Sequence, residues 1–128
     1  MKIKIKNSQI AHFLSSSENV IKLKMSINSK IEFRKFFKLL IDHSEILEKQ
    51  KNDELNYLYP NGLTQEAEME LIKNGDIDYL NLVTEMNNLY NSINEFELNI
   101  SETEIKNILN QETQEDLSLV FMIIMESY

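Results

Sequence analysis

The sequence predicts an α+β fold: one mostly helical domain over residues 1–128, with a small three-stranded sheet packed against the helices. Three observations support this prediction. Apolar and polar residues alternate with period two in three short runs, as in half-buried strands. Elsewhere, apolar residues recur at spacings of three and four, as on one face of a helix. The 128 residues include two glycines and one proline, which favours helices joined by short connections.

The alternating runs lie at about residues 2–6 (KIKIK), 20–26 (VIKLKMS) and 95–100 (EFELNI). Lysine alternates with isoleucine or leucine in the first two runs, whereas glutamate alternates with apolar residues in the third. Opposite charges on paired strands stabilise a sheet by about 0.2–1 kcal/mol per pair. We therefore expect the apolar face of the sheet to pack on the helices. The other face should bring lysines beside glutamates, with the acidic strand next to a lysine strand.

The first helices follow from capping residues and periodicity. Asn7 or Ser8 can cap a short helix that ends in "SSSEN". Ser29 and Glu32 match a capping box, after which phenylalanines and leucines at helical spacing predict a long helix. A turn is expected in "YLYPNGL", because proline fixes one dihedral angle and Asn-Gly accepts positive φ.

The remaining helices begin at polar residues that can cap them. Thr64 starts a short helix with a stop at Asn74-Gly75, and Asp76 caps the next one. That helix carries an apolar stripe, which we expect to be buried: Leu80, Val83, Met86, Tyr90 and Ile93. Ser101 and Glu104 form a second capping box. Thr113 precedes a last helix that is apolar around most of its circumference and therefore belongs in the core.

The sequence gives little support for catalysis. No cysteine is present, which excludes disulfides, thiolate metal sites and a cysteine nucleophile, and the two histidines lack the spacing of a zinc site. No glycine-rich phosphate loop occurs. Asp42-His43-Ser44 contains the residue types of a hydrolase triad, but adjacent residues on a helix diverge and do not face one another. We expect no enzyme activity, no catalytic residues, no metal and no cofactor.

No targeting or membrane-spanning segment is expected either. The N-terminus alternates charged and apolar residues instead of forming a continuous apolar signal core. The longest apolar run, Leu119–Met125, is far shorter than the ~20 residues that a spanning helix needs. The sequence therefore predicts a soluble, cytosolic protein without a membrane partner.

Charge is distributed unevenly along the chain. Residues 1–64 carry eleven basic and seven acidic residues, a net charge of +4, whereas residues 65–128 carry two basic and fourteen acidic ones, a net charge of −12. The candidate partner-binding residues are acidic: Glu66, Glu68, Glu70, Asp76 and Asp78. They form either an interface that resembles the charge of nucleic acid or a solvated face.

An alternative site is basic and would bind phosphate groups. Its candidate residues are Lys2, Lys4, Lys22, Lys24, Arg34 and Lys38. The net charge of −8 repels a polyanion at long range, so phosphate binding would depend on local attraction by these basic residues. Nucleic acid is therefore the less favoured partner.

The order of these segments resembles a family of small uncharacterised phage and prophage proteins of low-GC Gram-positive bacteria, grouped as a domain of unknown function. Members open with "MKIK(I/L)-x-N", a short apolar helix, an "LxLK" run and a helix with a basic start. The matching segments here are "MKIKIKN", "IAHFL", "IKLKM" and "SKIEFRKFFKLLI", followed by "LVTEMNNLYNSINEFELNI". The resemblance implies a phage-encoded protein in the cytoplasm of a bacterial host, and it supplies no catalytic residues.

These observations lead to a functional expectation. We expect a non-enzymatic accessory protein that binds a host or phage protein, in one form as an inhibitor of a host nuclease or defence complex. One alternative is a structural or assembly role, such as a tail accessory, in which the chain self-associates. The other is nucleic-acid binding through the lysine-faced sheet.

Overall fold

The structure, a computed structural model, describes residues 1–111 and 117–128. Its elements are β1 (Lys2–Lys6), α1 (Asn7–Ile21), α2 (Ile27–Leu58), α3 (Gln65–Asn74), α4 (Ile77–Asn91), β2 (Ile93–Glu97), α5 (Glu102–Leu109) and α6 (Ser118–Ser127). The fold is α+β and mostly helical, as the sequence predicts. In the described ranges, however, the sheet has two strands rather than three.

The sheet pairs the first lysine strand directly with the acidic strand. β1 and β2 are antiparallel, with Ile3 opposite Phe96 and Lys4 opposite Glu95. Ile3 and Phe96 are buried on the face that packs against the helices, while the lysines and glutamates share the exposed face. β2 ends earlier than the expected 95–100 run, although the Leu98 N–H still donates to the Met1 carbonyl at 2.8 Å. The expected charge pairing across the sheet is confirmed for these two strands.

The predicted strand at 20–26 is wrong, because the preceding helix does not stop at "SSSEN". α1 continues to Ile21. The hydroxyls of Ser15 and Ser17 donate to backbone carbonyls three residues earlier at 2.8 Å, which accommodates these serines inside the helix. The buried side chains of α1 have helical spacing: Asn7, Ile10, Phe13, Ser16 and Val20. Val20 therefore belongs to a helical pattern that outweighs the alternation in the residues after it.

A side chain, rather than a strand, pairs with the backbone of Lys24. The Lys24 N–H donates to Gln111 Oε1 at 2.9 Å, and Gln111 Nε2 donates to the Lys24 carbonyl at 2.6 Å. One glutamine amide thus satisfies both groups that a neighbouring strand would have used. Consequently Lys22 and Lys24 lie outside the sheet.

The long helix is confirmed, but its N-cap lies three residues before the predicted one. Ser26, not Ser29, is the N-cap: its side chain accepts from the Ser29 N–H at 3.1 Å. The Ser29 hydroxyl donates instead to Glu104 Oε1 at 2.9 Å, and the Ser26 N–H donates to the same oxygen at 3.3 Å. Glu104 therefore ties the start of α5 to the start of α2, while Ser101 caps α5 as predicted.

The core lies between the buried face of the sheet and the helices. α2 contributes Phe33, Phe36, Phe37 and Leu40, and α6 contributes Val120, Phe121, Ile123 and Ile124. α6 also covers the outer edge of β1, where the Lys4 N–H donates to Ser127 Oγ at 3.3 Å. The predicted place of the last helix in the core is confirmed. Its proposed start at Thr113 lies outside the described residues.

Candidate functional site

The acidic residues of the second half lie on α3 and α4, which a two-residue connection joins. The Thr64 side chain accepts from the Ala67 N–H at 3.1 Å and so begins α3 as predicted. Gly75 ends it in the left-handed conformation, with φ of 64°, a region that L side chains rarely adopt. Asp76 then caps α4. This arrangement places the five candidate carboxylates on two consecutive helices, hereafter the acidic surface: Glu66, Glu68, Glu70, Asp76 and Asp78.

Two of the five carboxylates have structural contacts, and both of these contacts are with Tyr79. The hydroxyl of the buried Tyr79 donates to Glu68 Oε1 at 2.7 Å, and its backbone N–H donates to Asp76 Oδ1 at 3.0 Å. The first contact joins α4 to α3, and the second is the N-cap of α4. Glu66, Glu70 and Asp78 are exposed. The acidic surface therefore combines two structural carboxylates with three that face solvent.

Two tyrosines respond to the charge of this surface. The pKa of Tyr79 is raised, first by the hydrogen bond that its hydroxyl donates to Glu68 and then by burial. The pKa of Tyr59 is raised by desolvation and then by the charges of Asp76 and Asp78. Both phenols therefore stay neutral donors at neutral pH.

Exposed apolar side chains lie among the free carboxylates. Met69 and Ile72 on α3 are 64% and 57% exposed, and Ile77 at the start of α4 is 70% exposed. Every residue of α3 is exposed or partly exposed, so this helix contributes no buried side chain. The predicted apolar stripe of α4 is not the side of the helix that is buried. Leu80, which belongs to that stripe, is exposed, and the buried residues of α4 are Tyr79 and Leu82. Contiguous apolar patches with a polar rim are typical of surfaces that bind proteins.

Ion pairs within the described residues leave the free carboxylates of this surface unneutralised. Within residues 1–111 and 117–128, none of the ion pairs involves Glu66, Glu70 or Asp78. Glu66, Glu70 and Asp78 are therefore available to an external partner.

The alternative basic residues do not form one site. Lys2 and Lys4 lie on the exposed face of the sheet, beside a cleft of about 490 Å³ that Glu126 also lines. Their strand neighbours are acidic: Lys2 Nζ lies 3.9 Å from Glu95 Oε2, and the N-terminal ammonium lies 3.1 Å from Glu97 Oε1.

The other basic candidates lie elsewhere. Lys22, Arg34 and Lys38 line a groove of about 540 Å³ between α1 and α2. Lys24 lies in the connection beyond this groove and is held by Gln111. A continuous phosphate-binding stripe is therefore absent from the described part of the fold, and the basic residues form separate groups.

Sequence reasoning missed a polar cluster around Asn7. This nearly buried side chain donates from Nδ2 to the Leu89 carbonyl at 2.7 Å. Its Oδ1 accepts from Asn94 Nδ2 at 2.6 Å and lies 2.9 Å from His43 Nε2. The His43 ring also meets Phe96 edge-on, with the ring centroids 5.4 Å apart. The predicted cap at Asn7 or Ser8 is wrong, because Lys6 is the N-cap of α1 and the Asn7 side chain is used in contacts with α2, α4 and β2, for which the local sequence carries no signal.

The triad-like sequence Asp42-His43-Ser44 is divided among three environments. Asp42 pairs with Lys38 Nζ at 3.4 Å, His43 contacts Asn7, and the Ser44 hydroxyl donates to the Ile41 carbonyl at 2.8 Å. The three side chains therefore do not act on one another.

Comparison of the chain with protein-family models, with curated proteins and with solved structures gave no match. Among the described residues, no helix is both long enough and apolar enough to cross a bilayer. The fold and the surface thus define a mostly helical α+β protein with an acidic surface on α3 and α4.

Proposed function

We propose that this chain is a non-enzymatic phage or prophage accessory protein that binds a partner protein through the acidic surface. The observation that carries the proposal is the group of three exposed, unpaired carboxylates beside Met69, Ile72 and Ile77. Charged groups at such a surface select a partner and speed its association, while apolar side chains supply contact area. A basic protein surface is the complementary partner.

The finer proposal is inhibition of a host nuclease or defence complex in the bacterial cytoplasm. Glu66 and Glu70 share one face of α3 and are about 6 Å apart along the helix axis, whereas Glu68 lies on the other side and binds Tyr79. One strand of duplex DNA carries one phosphate per about 3.4 Å. The exposed face of α3 thus carries about half the linear charge density of one DNA strand, and this acidic face supports binding to a surface that normally holds nucleic acid.

The test reverses the charges that have no structural contact. In Glu66→Lys/Glu70→Lys, the Asp76 cap and the Glu68–Tyr79 hydrogen bond stay intact. The matched control is Glu45→Lys/Glu48→Lys, which changes the same charge at exposed positions of α2. Affinity capture from infected host lysate with each variant, followed by mass spectrometry, identifies the partner.

We expect Glu66→Lys/Glu70→Lys to weaken capture at least about tenfold, since like charges across an interface cost several kcal/mol. The control should capture as the wild type does, and duplex DNA should compete for the captured protein. Undiminished capture by Glu66→Lys/Glu70→Lys would contradict the proposal. Capture that duplex DNA does not affect would refute the nucleic-acid mimicry and leave protein binding.

An assembly role is the second candidate, and the groove between α1 and α2 favours it because that groove is a separate binding surface on the same chain. Presence of the protein in purified particles would support this role. Nucleic-acid binding is less favoured, because Lys2 and Lys4 face acidic neighbours on β2. A mobility shift that weakens steeply with salt would reverse that order.

A further inference from the structure

The groove between α1 and α2 combines an apolar floor with a basic rim. Its floor consists of Ile21, Phe37 and Ile41, and its rim includes Lys22, Arg34 and Lys38, together with Ser17 and Glu18. Ile41 is 45% exposed although it lies on the same helix as the core phenylalanines. Lys38 pairs with Asp42, whereas neither Lys22 nor Arg34 takes part in the ion pairs of the described residues. The groove therefore fits an acidic helix with an apolar ridge.

A helix of that kind is present on the chain itself. On α3, Met69 and Ile72 are three residues apart and form an exposed ridge, and Glu66 and Glu70 lie within one turn of Met69. In such a contact the apolar ridge packs on the apolar floor of the groove. The carboxylates then lie near the guanidinium of Arg34 and the ammonium of Lys22, which are unpaired among the described residues. The groove and the ridge share no residue, so one molecule can use both at once.

We infer that the acidic ridge of one copy docks in the basic groove of a second copy, which gives head-to-tail self-association. Such a contact joins two different surfaces, so it continues into a chain of subunits unless the rotation closes a ring. The inference rests on the proposed function only in using the same acidic surface. It adds the groove, which the proposed partner capture does not need.

The expected affinity is modest, and its response to salt is informative. One helix in one groove covers less than the ~800 Å² per partner of a standard interface, so we expect association in the range of about 10–100 µM. The net charge of −8 makes copies repel each other, and salt would relieve that repulsion. Association that weakens with salt therefore shows that the local attraction between ridge and groove outweighs the overall repulsion between copies.

Sedimentation velocity on the full chain, over a concentration series at about 0.05 M and about 0.5 M salt, tests this directly. The wild type should associate at low salt and lose at least about tenfold in association constant at high salt. A wild type that stays monomeric to about 1 mM, or associates more strongly at high salt, overturns the inference.

Two variants separate the surfaces. Arg34→Glu/Lys38→Glu alters only the groove, and Glu66→Lys/Glu70→Lys alters only the ridge. The groove control is Lys35→Glu/Lys49→Glu, which makes the same charge change on α2. Each groove-side double variant removes one exposed ion pair, with Asp42 in the first and with Glu32 in the control. The ridge control remains Glu45→Lys/Glu48→Lys.

On its own, each of the two variants, Arg34→Glu/Lys38→Glu and Glu66→Lys/Glu70→Lys, should be monomeric. Both controls should associate as the wild type does. An equimolar mixture of the two variants should associate again, because the intact ridge is complementary to the intact groove and the charge-reversed ridge is complementary to the charge-reversed groove. Association of Arg34→Glu/Lys38→Glu alone at wild-type strength, or no association in the mixture, overturns the inference. Partner capture by Arg34→Glu/Lys38→Glu should stay normal, which separates failure of this inference from failure of the proposed function.

Discussion

Replacing Asn7 with alanine removes the side chain that connects α1 to three other elements. Asn7 is 8% exposed, donates to Leu89 and accepts from Asn94, and its Oδ1 also lies within hydrogen-bond distance of His43. Because Nδ2 faces a carbonyl, Oδ1 is fixed as the acceptor, and His43 Nε2 therefore donates to it. Three hydrogen bonds are lost together in this substitution.

The magnitude follows from the number and burial of these bonds. Each intramolecular hydrogen bond contributes about 0.5–1.5 kcal/mol, and a buried partner left unpaired costs about 1–3 kcal/mol. Asn94 and His43 are half-buried, so water replaces part of what they lose. We therefore expect Asn7→Ala to lower the free energy of unfolding by about 2–4 kcal/mol, a large share of the about 5–15 kcal/mol typical of a domain.

Urea denaturation followed by circular dichroism measures this loss as a shift in midpoint at unchanged slope. The matched control is Asn107→Ala at an exposed position of α5, which should change stability by less than about 0.5 kcal/mol. A double-mutant cycle with Asn94→Ala should give a coupling of about 0.5–3 kcal/mol. If Asn7→Ala unfolds within about 0.5 kcal/mol of wild type, the cluster does not stabilise the fold.

Three further predictions concern the core, a helix end and a charged contact. Phe36→Ala removes a fully buried ring that meets Phe13 edge-on at 6.1 Å between centroids, and urea denaturation should show a loss of about 3–5 kcal/mol. Gly75→Ala strains a left-handed residue without any steric clash, so thermal melting should show a loss of about 1–2 kcal/mol, and a loss of about 4 kcal/mol would contradict that account. Hydrogen bonds from Ser29 and then Ser26 lower the pKa of Glu104, so stability from this contact is present above its unfolded pKa and declines as pH falls through the lower folded pKa. Glu104→Gln should flatten that acid-side decline in pH-dependent urea titrations, whereas an unchanged pH profile would rule out this linkage.

Local signals in the sequence were sufficient for several helix ends and for the pairing of two strands. Thr64, Asp76 and Ser101 each cap the helix predicted for them, because an N-cap satisfies N–H groups only two or three residues away. The alternation of β1 and β2 likewise fixes which face is buried once the strands pair.

Features of the fold that depend on residues far apart in sequence could not be predicted from local signals. Ser26 and Ser29 are both acceptable caps, and Glu104, 75 residues beyond Ser29 in sequence, engages the hydroxyl that Ser29 would have used. The run at 20–26 fits both a strand and the end of a helix, and Gln111 occupies the Lys24 backbone groups that a strand would need. For the candidate site, the sequence marked the five carboxylates and the Asp76 cap, but not the hydrogen bond from the Tyr79 hydroxyl to Glu68.

The two charged halves of the chain are used differently by the fold. At the sheet, negative and positive charges meet: Glu95 lies opposite Lys4, and Glu97 contacts the N-terminal ammonium. On α3 and α4 the charge is unpaired, and self-repulsion there opposes the compact state. Glu66 and Asp78 lie in the first turns of α3 and α4, where a carboxylate stabilises the helix, whereas Glu70 and the exposed Met69 and Ile72 have no such role. Glu68 and Asp76 contact Tyr79, and the exposed carboxylates of this group, above all Glu70, are those that we propose a positively charged partner contacts.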